Sequence, residues 1–174
     1  MNVRKQVDYS AIFMALDVLI AAGLPQMKLY CEIGRVVSDR PEKGAAVMAA
    51  EYLHGAYPEA AGFSPRNLRR MREFYRTYET TPEILAEAMT IGWTQNVVIL
   101  EADLTLLEKS WYIRAVKQFG WFKLTLLEKI EAGESVPDRV RSYQYRGDRQ
   151  PFLSSDPPKS SRTRSTAPAN RPTS

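Results

Sequence analysis

Phe63-Ser64-Pro65-Arg66-Asn67-Leu68-Arg69-Arg70-Met71-Arg72-Glu73-Phe74-Tyr75-Arg76-Thr77-Tyr78 holds both a helix start and a strongly two-sided pattern. Ser64 suits the N-cap, where its hydroxyl accepts from an early amide that has no partner within the helix. Pro65 suits the first helical position, where no amide hydrogen is needed. At about 100° per residue, Leu68, Met71, Phe74, Tyr75 and Tyr78 share an arc of roughly 120°. Arg66, Arg69, Arg70 and Arg76 fall on the opposite arc, Arg72 lies on the flank, and Glu73 is the one acid among them. The spacing therefore predicts a helix over 65–78 with an apolar inner side and a guanidinium outer side.

The rest of the chain extends the helical pattern in both directions. No stretch alternates polar and apolar residues with a period of two, and no Asn-Gly or Asp-Gly hairpin signal occurs. The expected helices before 65–78 are 8–22 (Ile12, Leu16, Leu19, Ile20), 25–38 (Leu29, Ile33, Val36, Val37) and an alanine-rich 43–57 (Val47, Met48, Ala50, Leu53, Tyr57). After it come 82–90, opened by Thr81-Pro82, and a short helix around 94–101. A further helix at 104–119 is expected, capped by Asp103 and striped by Leu104, Leu107, Trp111, Ala115 and Phe119, then a last one at 122–132. Trp93, Trp111, Trp121 and the tyrosines are expected in the core. The fold class that follows is all-α, a compact bundle of seven or eight helices over residues 1–134.

Charge divides the chain differently. The 174 residues carry 24 Lys+Arg and 20 Asp+Glu. Residues 1–134 hold 16 basic and 17 acidic side chains, and residues 135–174 hold 8 basic and 3 acidic ones. From Pro151 onward Pro, Ser, Thr and Arg dominate, with Phe152 and Leu153 the only large apolar residues. Such a composition buries too little apolar surface to offset the entropy of ordering, so 135–174 is expected to be a disordered basic tail.

Several functions are disfavoured by composition. One cysteine, Cys31, rules out an internal disulfide, and one histidine, His54, rules out a His-pair metal site. The longest apolar stretch, 11–24, is interrupted by Asp17 and is too short to span a bilayer. No apolar segment suited to a secretion signal follows the N-terminus, so a cytoplasmic location is expected. Tyr9, Tyr30, Tyr52, Glu32 and Glu51 could serve as acid–base groups, but their spacing fits helix packing equally well. No metal, cofactor, small-molecule substrate or catalytic role is expected.

A helix of arginines preceded by a helix and a turn is the arrangement of a helix-turn-helix reader. Guanidinium forks match phosphate oxygens and guanine edges, and a helix fits the major groove. Arg66, Arg69, Arg70, Arg72 and Arg76 are the expected DNA contacts. Asn67 lies nearer the apolar side and is expected to make a local bond. The bland alternative is a solvated basic face paired with acids such as Glu51 or Glu59.

The strings Leu29-Tyr30-Cys31-Glu32-Ile33-Gly34-Arg35 and Gly62 to Tyr75 resemble the N-terminal domain of the YhcG family of bacterial proteins. The later pattern is also similar: Trp93 opening a short helix, Trp111-Tyr112-Ile113-Arg114-Ala115, and Gly120-Trp121 before a last helix. The resemblance spans about residues 10–132. It departs at Cys31, where the family often has tryptophan, and at 40–45, which lacks a Gly-Trp-Gly string. It departs again at Phe122, where a small N-cap residue is usual. The resemblance implies a winged-helix-like module that binds DNA and normally precedes a PD-(D/E)xK nuclease domain. Such a nuclease needs acids and a lysine converging on a divalent ion, and residues after 134 offer only Asp138, Asp148, Asp156 and Lys159. The expected function is a non-catalytic DNA-binding module. The alternatives are a protein-interaction module, as a homodimer through the last two helices (Trp111, Trp121, Phe122) or docked on a nuclease partner, and one half of a two-part nuclease.

Overall fold

A computed structural model describes residues 7–42 and 44–133. The tail expected over 135–174 lies outside the described residues. Among the described residues eight helices follow one another: α1 Ser10–Ala21, α2 Gln26–Ser38, α3 Ala45–Ala56, α4 Pro65–Tyr78, α5 Pro82–Ala88, α6 Trp93–Glu101, α7 Leu106–Phe119 and α8 Lys123–Glu131. There is no strand among the described residues, so the implied wing has nothing there to form it. The helical bundle itself is as the periodicity predicts.

Two cores share the interior. The first is built by α1, α2, α3 and the start of α4, from Leu16, Ile33, Val37, Leu53, Leu68 and Met71 among others. The second joins the end of α4 to α5–α8 through Phe74, Tyr78, Ile99, Tyr112, Ile113 and Leu126. Trp93 packs against both cores. Helix α4 belongs to both as well, and each buried residue lies on the arc that its sequence marks.

Alpha-helical backbones approach closely where side chains are small. On α3 the buried side is Ala45, Ala46, Ala49 and Ala50 with Leu53, whereas the expected Val47 and Met48 are only half-buried. The larger side chains move to the flank because the alanines let α3 settle deeper against α4. Gly34 plays this part on α2. A Cβ built there would overlap the Met71 carbonyl and stand 3.2 Å from Tyr75 Cβ. Asp17, the one acid of α1, turns toward α3, where Tyr52 and Tyr57 donate to its carboxylate at 2.7–2.8 Å. Those bonds raise both phenol pKa values above the usual tyrosine range.

Helix α7 departs most from expectation. Its cap is Thr105, not Asp103: the Thr105 hydroxyl accepts from the Glu108 amide, and the Glu108 carboxylate accepts from the Thr105 amide at 2.8 Å. This reciprocal box satisfies two free amides at once, which Asp103 alone could not do. The inner side runs Lys109, Tyr112, Ile113 and Val116, so Leu107 and Phe119 of the expected stripe face outward. Lys109 is only 9% exposed, and its ammonium donates to the carbonyls of Ile99, Leu100 and Ala102 at 2.8–3.1 Å. It closes the C-terminal end of α6, where carbonyls lack helical partners. Thr81 also departs: its hydroxyl donates back to Tyr78 O instead of capping α5.

Candidate nucleic-acid interface

The connector from α3 to α4 sets where the arginines point. Ser64 accepts from the Asn67 amide at 3.2 Å, so the predicted N-cap is formed. The Asn67 side chain donates to Gly62 O at 2.6 Å and accepts from the Trp93 indole at 2.9 Å. Asn67 thus makes the local bond expected of it, and adds a link to α6 that no spacing in the sequence announces. Gly62 has φ +92°, and the Tyr30 hydroxyl stands where its Cβ would be. Tyr30 in turn meets Phe63 and Trp93 edge-on, with centroids 6.4 and 5.1 Å apart. The first turn of α4 is therefore tied to α2, to its own connector and to α6.

The five arginines then divide by where they sit around α4. Arg66 and Arg69 lie on the outer crest, exposed to solvent. Arg70 leans toward α6, where its guanidinium meets the Glu101 carboxylate at 2.6–2.7 Å. Arg66 approaches the same carboxylate only to 3.8 Å and its side chain stays 76% exposed, against 25% for Arg70. On the other flank Arg72 donates to Glu42 O and Arg76 to Ser38 O, at 3.4 and 3.3 Å. Burial, and after it the nearby charge of Arg76, pulls the Arg72 pKa down, while Glu73 opposes this.

So the outer side is neither wholly free nor wholly neutralised. Two flanks are anchored, one on an acid and one on backbone carbonyls, and a crest of Arg66 and Arg69 stands between them. The acid that pairs with the helix is Glu101, not the Glu51 or Glu59 considered from the sequence. Glu101 lies 31 residues from Arg70 along the chain, so no helical spacing relates the two.

A groove of about 460 Å³ runs beside this crest, between α4, α6 and α8. Asn67, Arg70 and Trp93 line one side, Lys123 and Leu127 the other. Of the groups considered for acid–base work, Glu32 is held by Lys28 and Arg35 at 2.9 Å each, which keeps its carboxyl below the usual carboxylate range. Tyr52 is bonded to Asp17. Among the described residues no helix is long and apolar enough to cross a membrane.

Residues 16–134 match the DUF1016 N-terminal domain, and the chain belongs to that family. This agrees with the resemblance to YhcG-type N-terminal domains drawn from its residues. No curated protein and no solved structure matches the chain.

Proposed function

We propose that the domain is a non-catalytic DNA-binding module that meets its ligand with the outer side of α4. The supporting observation is the exposed Arg66–Arg69 crest on a helix whose first turn is tied down from three sides. A rigid cationic ridge attracts phosphates and releases counterions. Arg72 and Arg76 contribute at the edge of the footprint. Arg70 holds the ridge against α6 through Glu101.

Anisotropy titrations with duplex DNA at several salt concentrations test this. Replacing Arg66 and Arg69 together by Ala lowers affinity and flattens the salt dependence by roughly 0.9 per lost phosphate contact in the log–log slope. Glu101→Gln removes the acid beside the ridge and tightens binding. Absence of binding at low salt, or binding indifferent to the double substitution, overturns the proposal.

One observation favours association with protein instead, through a second copy or a nuclease partner: Phe119, Phe122 and Leu124 are exposed near the junction of α7 and α8. The charge around those rings points elsewhere.

A further inference from the structure

The outward side of α7 and the start of α8 carry two exposed rings, Phe119 and Phe122, beside Trp121, which is half-buried against the second core. Phe119 stacks on Trp121, with centroids 5.4 Å and planes 20° apart. Phe119 is 58% exposed and Phe122 78%. Phe122 occupies the N-cap of α8 and makes no side-chain capping bond there. A small polar residue at that position would stabilise the helix, so the ring serves neither the helix start nor the interior.

The charge of this corner leans positive, with Glu128 and Glu131 following on α8. Residues 109–127 contain four cations and no acid. Lys109 is engaged by the α6 carbonyls and Arg114 by Glu87. Lys117 and Lys123 are exposed, and Lys129 lies 5.9 Å from the Trp121 ring centre. Lys123 also lines the groove beside the α4 crest, which holds Arg70 with its partner Glu101 and, on α8, Glu131.

A second copy docked here about a two-fold axis would set Lys117 and Lys123 against their own counterparts, and the acids of α8 begin only at Glu128. A nucleic-acid strand supplies what the corner lacks: phosphates for the lysines and flat π-faces for the rings. We propose that the exposed Phe119 and Phe122 rings of this corner stack unpaired bases of a DNA strand whose duplex part lies on the α4 crest. The preferred ligand is then a duplex bearing a single-stranded arm. This inference rests on the DNA-binding role proposed for α4. Every base has a π-face, so the selection is for strand structure and tolerates sequence.

The test uses the full chain with a blunt duplex and the same duplex extended by a short single-stranded arm. The arm carries 2-aminopurine, whose fluorescence is quenched by stacking. The parent protein binds the armed duplex more tightly and quenches the probe. Phe122→Ala loses about tenfold on the armed duplex, leaves blunt-duplex affinity unchanged and abolishes quenching. Phe122→Trp retains both. Equal binding of blunt and armed duplex by the parent overturns this inference and leaves the α4 role standing. Binding of neither overturns both. If light scattering shows a parent dimer that Phe122→Ala converts to monomer, without change in preference for the arm, the corner is a self-contact and the inference fails.

Discussion

Helices α4 and α7 have the same length, 14 residues, and both begin at a hydroxyl cap, yet they use positive charge in opposite ways. On α4 the cations stay outside. Its inner side is wholly apolar or aromatic, and its arginines reach neighbouring elements only along the two flanks. On α7 a lysine is drawn inward, because the end of α6 presents three carbonyls that need a donor. Position relative to unpaired backbone, more than charge itself, decides which cation becomes part of the framework and which stays exposed to solvent.

The most damaging way to break this comparison is to unseat α4. Gly34→Ala forces a methyl group into the Met71 carbonyl, and the helix crossing must open. A loss of about 3 kcal/mol is expected, seen as a lower urea midpoint at unchanged slope. An unshifted midpoint would show that α4 can retreat without cost.

Lys109→Met tests the inward cation. It keeps the stem and removes the donor, leaving the α6 carbonyls short of a partner, at a cost of about 2 kcal/mol. Burial holds the Lys109 pKa below the ordinary lysine value, despite the nearby acids Glu73, Asp103 and Glu108. Between the folded and unfolded pKa values the unfolded chain binds more protons, so stability from this group rises with pH across that window. Denaturation at several pH values approaching the ordinary lysine value of about 10.4 should show that rise in the parent and lose it in Lys109→Met.

The smallest effect is expected at the outward cations. Arg66→Ala with Arg69→Ala should leave stability within about 0.5 kcal/mol, because neither side chain is built into a core. A larger loss would mean that the crest is structural and would weaken the contrast between the two helices.

Most of the bundle was legible in the residues, since period and caps are local signals. Ser64-Pro65 announced α4 because proline and hydroxyl act within one turn. Alpha-helix 7 was misread where local rules compete: Asp103, Thr105 and Glu108 are all able to cap, and only the reciprocal bond of Thr105 with Glu108 resolves them. Of its expected stripe, Leu104, Trp111 and Ala115 do reach the interior, whereas Leu107 and Phe119 face outward and Tyr112, Ile113 and Val116 are buried instead. Hydrophobic spacing alone does not say which side a tertiary neighbour covers. Of the interface, the arginine face could be seen in advance, while Glu101 and the bond from Trp93 to Asn67 could not, since both depend on segments distant in the chain.

Trp93 touches both cores and is bonded to the first turn of α4. Neither half can melt while the other keeps its native interior, because each would lose the same indole. Calorimetry should therefore record one heat-absorption peak, and proteolytic fragments divided near residue 61 should not refold separately.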